Sequence, residues 1–329
     1  MDPENVSKDS LKIDCAGQVR VITREVQRLL ASFKRRGLVV GLSGGIDSSV
    51  TAALCVQAVG KERVFGIHMP DQHSSADTLS LSQSISTHFG FDSAVEEITG
   101  ILEAVGCYDR QAKAIQLAIP EYGKGWKSKI VLENILTNQG INYFSVVAQS
   151  PDGTMIKKRL SLEAYLGILA ATNFKQRVRK MMEYYYADRL NYAVAGTPNR
   201  LEYDQGFFVK LGDGAADIKP IAHLYKSQVY QLAEFLGVPE RIRRRPPTTD
   251  TYSLQQGQDE FYFSLPYEKL DLCLYAKNHG IPPARVAPLV GLTPEQVERV
   301  YKDIDMKRSS TRYLHLKPQL AVPVDELEV

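Results

Sequence analysis

Cysteine is scarce in this chain: Cys15, Cys55, Cys107 and Cys273 are scattered over 329 residues with no C-x-x-C pair among them. That spacing offers neither a zinc site nor a disulfide scaffold, and it is expected of a chain kept in a reducing compartment. An excess of one charge is lacking too, because 40 basic side chains meet 38 acidic ones and leave a net charge of +2. So even a balance predicts no nucleic-acid partner and no membrane partner. No apolar run approaches the roughly 20 residues a bilayer-spanning helix needs. The opening Met-Asp-Pro-Glu-Asn-Val-Ser-Lys lacks the charged-then-apolar order of a secretory leader, so a cytoplasmic location is the expectation. The six histidines show no H-E-x-x-H or related spacing, which argues against a histidine-built metal site. What remains is ordinary, with 44% apolar and 24% charged residues, as in a globular protein with a sizeable core.

The spacing of apolar residues gives the elements. Val19, Ile22, Val26, Leu29, Leu30 and Phe33 recur at helical intervals, with Gly37 as the expected stop. A strand is predicted over 38–43, a helix over 48–59 closed by Gly60, and a second buried strand over 64–69. Ser74 or Ser75 caps a predicted helix running to His88 and ended by Gly90, ahead of a third strand near 94–98. Strands alternating with helices call for parallel pairing through right-handed crossovers, hence a doubly wound α/β sheet. Residues 100–160 are less regular, although 143–149 and 155–160 predict two strands around the turn signal Ser150-Pro151-Asp152-Gly153. A long helix is predicted over about 162–189, then a strand over 191–197 and a helix over 222–236 that stops at Gly237. Thr293-Pro294-Glu295-Gln296 is a capping box opening a further helix, and the tail after Pro323 is expected to fray. There are no internal repeats.

One segment is far more specific. The apolar run at Leu38-Val39-Val40 breaks at Gly41-Leu42-Ser43-Gly44-Gly45, and Ile46-Asp47-Ser48-Ser49 then opens a helix. A strand that breaks through paired glycines into a helix N-terminus presents backbone N–H groups and the positive helix end to an anion. Glycine is required where a Cβ would hold phosphate oxygens away from the backbone. The two commoner phosphate loops are excluded, since neither GxxxxGK[ST] nor GxGxxG is present here.

A second polar constellation lies downstream. Gly196-Thr197-Pro198-Asn199-Arg200-Leu201-Glu202 is followed by Gly212-Asp213-Gly214-Ala215-Ala216-Asp217-Ile218-Lys219-Pro220. Carboxylates and phosphate oxygens are the hard ligands that Mg²⁺ prefers, and Asp47 and Glu202 are the candidates to supply the former. Asp213 and Asp217 stand between that reading and plain Asx-Gly turn chemistry.

The string SGGIDSS at 43–49 resembles the pyrophosphate loop of ATP pyrophosphatases, the adenine nucleotide alpha hydrolase type of Rossmann-like fold. The remaining motifs are similar to those of ammonia-dependent NAD synthetases in particular. They are Gly196-Thr197 with Glu202, Gly212 to Pro220, Leu224-Tyr225-Lys226 with Val229, and Asn173 with Arg177, Arg179 and Met181. Pro246-Pro247-Thr248-Thr249-Asp250 and Gln258-Asp259-Glu260 extend the likeness, which spans about 17–105 and 165–312. It implies that residues 41–49 border ATP together with Thr197, Lys226 and Thr248, with Asp47, Lys226, Asp213 and Asp217 as catalytic groups. It further implies Asp47 and Glu202 as Mg²⁺ ligands, and Arg177, Arg179, Asp213, Asp217, Lys307 and Arg308 as contacts to deamido-NAD. Arg177 and Arg179 point to different helix faces, so one is expected on a dinucleotide phosphate and the other in a structural ion pair. The implied reaction is adenylation of a nicotinate carboxylate by ATP, then amidation by ammonia. A homodimer is also implied.

Some features depart from that pattern. The stretch 107–160 is longer than the family core, so the expected architecture is one domain over 1–329 with this insertion, a β-hairpin region within it, and a C-terminal helical segment from about 266. Met306 precedes Lys307-Arg308 where the family carries His. The aromatic run at 261–265 predicts core packing, and Arg241, Arg243, Arg244 and Arg245 predict a solvated helix end. Cys107 has no histidine at a useful spacing, so no glutaminase nucleophile is expected and ammonia would arrive free or from a separate glutaminase chain. Two other readings stay open: amidation of a different small carboxylate, and a nucleotide-binding regulator without turnover.

Overall fold

The computed structural model describes residues 6–132, 143–247, 251–257, 262–263, 265–322 and 324 of the 329. Along the chain, α1 (Cys15–Ser32) leads to β1 (Leu38–Gly41), which turns through the paired glycines into α2 (Ile46–Val59). A second unit follows, made of β2 (Val64–His68), α3 (Ala76–Phe89) and β3 (Asp92–Val95). Two helices, α4 (Thr99–Ala104) and α5 (Cys107–Gln116), precede β4 (Lys127–Leu132), β5 (Phe144–Gln149) and β6 (Met155–Arg159). The long α6 (Leu162–Leu190) returns to the first sheet through β7 (Ala193–Ala195). The rest is helical: α7 (Arg200–Gln205), α8 (Lys226–Phe235), α9 (Glu240–Arg243), α10 (Tyr267–Asn278), α11 (Pro283–Val290) and α12 (Pro294–His315).

The main sheet is parallel, with strand order β3–β2–β1–β7. Its central strand is apolar on both faces, as a strand covered by helices on each side must be. Leu38 and Val40 pack into a core with Val26 and Leu30 of α1, Val50 and Leu54 of α2, and Leu232 of α8. Val39, one residue out of phase, faces the opposite core with Ile67, Leu102, Val178 and Ala187. Successive residues pointing to opposite faces put helices on both, which makes the sheet doubly wound. The chain leaves β1 toward β2 and β3, then crosses back to β7 on the other edge of β1. That reversal sets the crevice at the carboxyl ends of β1 and β7, where such sheets bind ligands. Gly41 and Ala195, and hence the loops that follow them, meet there.

The insertion differs from expectation. It holds three antiparallel strands, β4–β5–β6, rather than a lone hairpin, and it has its own core of Ile115, Ile130, Val146, Ala164 and Ile168. β4 carries no clean alternation in the sequence because Ser128 occupies an inward position, 2% exposed and bonded to the Tyr122 hydroxyl at 3.0 Å. α5 carries a weak helical pattern because its buried stripe is Cys107, Gln111, Ala114 and Ile115, only half of it strongly apolar. Smaller shifts have local causes. α1 ends at Ser32, since Lys34 takes a left-handed φ of 54°, so the stop comes before Gly37. β3 occupies 92–95 rather than 94–98, and α8 begins at Lys226 rather than 222. The Gly90 cap and the Thr293 capping box stand as expected. Thr248, Gln258-Asp259-Glu260 and the chain beyond Val324 lie outside the described residues. Among the described residues no helix is long and apolar enough to cross a membrane.

Candidate active site

The turn after β1 is shaped by two glycines with different jobs. Gly44 sits at φ +72°, and a Cβ there would meet Leu81 Cβ at 3.0 Å and Ser82 N at 3.1 Å, so it packs against α3. Gly45 is the N-cap of α2, in extended conformation, and no side chain caps that helix end. First-turn N–H groups are therefore left facing the crevice, which together with the helix dipole makes an anion site. Hydroxyls brace the turn: Ser43 Oγ lies 3.2 Å from Ser48 Oγ, and Ser49 Oγ donates to the Gly45 carbonyl at 2.7 Å.

A charged cluster stands beside it. Lys226, 2% exposed at the N-terminus of α8, is ion-paired with Asp47 of α2. Asp271 holds that helix end, accepting from the backbone N–H of Lys226 at 3.2 Å and of Ser227 at 2.7 Å. Asn199 links the two acidic residues: its Nδ2 donates to Asp47 Oδ1 at 3.1 Å, and its backbone N–H donates to Glu202 Oε2 at 3.2 Å. Asn199 also caps α7, accepting from Leu201 and Glu202. Burial, and then the Asp47 charge, push Glu202 up to about 8, although Lys226 opposes them. Burial alone would lower Lys226, but Asp47 and Glu202 outweigh it and hold the ammonium above its ordinary value. Two carboxylates so crowded that one resists ionising form a place where a dication is favoured. Among the described residues no group of three or more His, Cys, Asp or Glu is arranged to hold a metal. A pair of carboxylates suits Mg²⁺, which usually takes one or two from protein and fills its shell with phosphate oxygens and water.

These groups open into one cavity of about 720 Å³. It is lined by Gly41, Leu42, Ser43, Gly45, Ile46, Asp47 and Ser48, and also by Thr197, Glu202, Asp213 and Lys226. Arg177 and Arg179 both reach it, from a stripe of α6 that includes Tyr165, Leu169, Asn173, Lys180 and Glu183. Arg179 is the one in an ion pair, with Asp71 at 2.8 Å, while Arg177 Nε donates to the Lys210 carbonyl at 3.3 Å. Asp213 accepts from Val209 N at 2.7 Å, and burial raises its carboxyl above the ordinary range.

Other expected positions sit elsewhere. Gly44 and Ser49 brace the turn from behind. Asp217 is exposed, outside the cavity lining, with its carboxylate accepting from Val194 N at 2.7 Å and from the Tyr184 hydroxyl at 3.3 Å. It holds the 217–218 segment beside β7, where Ala195 and Ile218 form a parallel bridge. Lys307 is buried against Asp303 at 2.6 Å and the Tyr262 carbonyl at 2.7 Å, and Arg308 is held by Asp204 and Asn278. Neither borders the cavity: Lys307 is turned toward the 262–263 segment, and Arg308 toward α7 and α10. Of the aromatic run, Phe263 is core while Tyr262 reaches the cavity. Arg245 also departs from the solvated cluster: it lines the cavity and donates to Ser75 Oγ at 3.1 Å. Lys180, Glu183 and Lys210 also line the cavity, beyond the residues expected from sequence. The first two pair at 2.5 Å, and their i, i+3 spacing after Arg177 was the available signal. Lys210 donates to the Tyr313 carbonyl at 3.0 Å, a contact no local pattern announces.

An uncapped helix N-terminus at a sheet switch point, with a lysine and two carboxylates beside it, gives this doubly wound α/β protein a site chemically suited to an anion and a dication. The model of one family, NAD synthase, matches residues 18–119 and 110–312. An NH(3)-dependent NAD(+) synthetase of Mesorhizobium japonicum is 56% identical over 317 residues, covering 96% of this chain and 99% of its own. The chain belongs to the NAD synthase family. Two solved structures share the fold: NMN synthetase from Francisella tularensis, with TM-score 0.63 and 21% identity over 95% of this chain and all of its own, and NH3-dependent NAD synthetase from Campylobacter jejuni, with TM-score 0.61 and 22% identity over 94% and all.

Proposed function

We propose that this chain is an ATP-dependent amide ligase that converts deamido-NAD to NAD with ammonia. A carboxylate oxygen of the nicotinate attacks the α-phosphorus of ATP and pyrophosphate leaves. Ammonia then adds at the acyl carbon, loses a proton and displaces AMP. The observation that carries this reading is the meeting of Asp47, Glu202 and Lys226 in one cavity beside the uncapped start of α2, with Asn199 joining the two carboxylates from behind.

Backbone N–H groups at Gly45 and the first turn of α2, with the hydroxyls of Ser43 and Ser48, suit the triphosphate. Lys226 is a compact charge for the leaving pyrophosphate, with Thr197 serving the same phosphates in this reading. Asp47 and Glu202 hold Mg²⁺, which supplies charge neutralisation on the phosphates when bound. Arg177, Arg179 and Asp213 serve deamido-NAD. The chemistry makes little covalent demand on the protein, so positioning and electrostatics carry the rate. We also read the chain as one domain carrying the 107–160 insertion, as a cytoplasmic homodimer, and as supplied with ammonia freely or by a separate glutaminase.

The test offers ATP, Mg²⁺ and ammonium with deamido-NAD, with nicotinate mononucleotide, and with neither. Amide product and pyrophosphate with deamido-NAD support the reading. Turnover confined to the mononucleotide reassigns the acceptor, and ATP binding without pyrophosphate release under any condition leaves a regulator.

A further inference from the structure

Lys175 is a fully buried ammonium, 0% exposed on α6, outside the cavity lining. It is nevertheless saturated. Its Nζ donates to Asp71 Oδ1 at 3.0 Å and to the Thr251 carbonyl at 2.9 Å, and lies 3.0 Å from His73 Nδ1. An ammonium has only donors, so His73 must offer Nδ1 as an acceptor and carry its proton on Nε2. Asp71 is as deeply buried and also takes the His73 backbone N–H at 2.8 Å. Its other oxygen takes Arg179 Nη2 at 2.8 Å. Arg179 Nε donates to the Met69 carbonyl at 3.3 Å, which leaves Nη1 without a protein partner among the described residues. That guanidinium is 17% exposed and lines the cavity.

Two of the three nitrogens of Arg179 are thus committed to the loop after β2, and the third is left for a ligand. With Nε–H and one Nη2–H committed, the planar guanidinium is held in a fixed plane and keeps both Nη1–H groups and the second Nη2–H, donors that suit an anionic or carbonyl oxygen. Asp71 alone would not hold it so. A buried carboxylate needs its charge matched, and Lys175 supplies that match while tying Thr251 and the loop to α6. A buried ion pair is weak evidence for a stabilising role, because apolar replacements often hold a core as well. What apolar side chains do not replace is the orientation of a third group.

We infer that Lys175 and Asp71 are positioning residues that aim Arg179 at the dinucleotide substrate from behind the cavity wall. This rests on the reading that deamido-NAD occupies the cavity. The test combines Lys175→Met and Asp71→Asn, separately, with Arg179→Ala, and reads kcat, KM for each substrate and Tm. Loss of one charge-assisted bond corresponds to about a tenfold change, so each single variant is expected to raise KM for deamido-NAD by about tenfold while KM for ATP stays within about twofold. In the Arg179→Ala background the same changes should add less than about twofold, because the group they aim is gone. The inference is overturned if both variants lower Tm yet keep both KM values, or if the KM effect is undiminished without Arg179. Asp71→Asn, an isostere, keeps the test open should Lys175→Met fail to fold. If Arg179→Ala itself leaves the deamido-NAD KM unchanged, the placement of the substrate fails and the inference with it; if only the Lys175 and Asp71 variants are silent, the placement stands and the inference falls.

Discussion

Asp47 and Lys226 join two helix N-termini that lie 179 positions apart in sequence, one closing the anion turn of α2 and the other opening α8. The pair borders the cavity with Lys226 buried and Asp47 at 17% exposure, and in the proposed reaction it meets the phosphates of ATP. Lys226→Met should slow pyrophosphate release by roughly 100-fold or more, the scale of losing one preorganised charge in a dry site. It should also lower Tm, because Asp47 and Glu202 lose the cation that balances them. Adding Asp47→Asn should recover Tm but not turnover. Recovery of both would remove Lys226 from the chemistry.

Glu202 is the carboxylate that burial and Asp47 push up to about 8. A ligand so reluctant to ionise gains most from a nearby dication. Glu202→Gln is expected to raise the Mg²⁺ concentration for half-maximal rate by about tenfold or more, the scale seen when a metal site loses supporting contacts. An unchanged Mg²⁺ titration would place the ion elsewhere.

Gly44 and Gly45 are neighbours with opposite sensitivities. At Gly44 the left-handed φ and the 3.0 Å approach to Leu81 make Gly44→Ala a fold defect, expected at about 1–3 kcal/mol by urea unfolding. At Gly45 φ is −88°, and a Cβ would meet only Ser43 Oγ, at 3.3 Å. Gly45→Ala should therefore cost less, no more than about 1 kcal/mol, the scale of a poorer N-cap. It should raise KM for ATP by crowding the phosphates. Equal stability losses at both positions would refute this division.

The parts of the fold and site that were legible in sequence are the ones with a local physical signature. Three consecutive apolar residues at 38–40, paired glycines and an uncapped helix start are self-contained, so the anion turn was visible without any distant residue. Lys226, Glu202 and Asp213 were found through motif likeness, and the cavity gathers all three. What stayed hidden depends on tertiary placement. Nothing near Lys175 in sequence tells that Asp71 and Thr251 will close over it. Asp217 sits in the same motif as Asp213, yet the turn between them sends one carboxylate into the cavity and the other to the backbone of β7. β4 was obscured because a serine occupies a core position.

Lys307 and Arg308 make the reverse case, motif residues that the structure assigns to packing. Arg308 forks onto Asp204 at 2.5 and 2.8 Å and reaches Asn278 at 2.6 Å, joining α12 to α7 and α10. Arg308→Leu should lower stability by about 1–3 kcal/mol, since Asp204 loses its bidentate partner and keeps only the Arg200 ion pair at 3.2 Å. KM for both nucleotides should stay within about twofold, a margin too small for a lost charged contact. A large KM change without loss of Tm would return Arg308 to the substrate.

His68 gives the fold a dependence on acid. It lies at the carboxyl end of β2, 1% exposed, with Nδ1 at 2.9 Å from Ser82 Oγ and Nε2 without a partner among the described residues. Burial pushes it down to about 4, so the ring is neutral in the folded protein at physiological pH. A folded value below the unfolded one means that protons bind the unfolded chain more readily. The stabilising contribution of the neutral ring is therefore complete above the unfolded value of about 6.5 and is lost as pH falls toward 4. At the acid limit the loss is on the order of a few kcal/mol. Urea unfolding of the native chain and of His68→Leu at pH 7.5, 6 and 5 isolates the effect, because every other group titrates in both. The native chain should lose stability relative to the variant at each step downward, most steeply between pH 6 and 5. A constant difference across that range would mean that the ring is not held neutral in the fold.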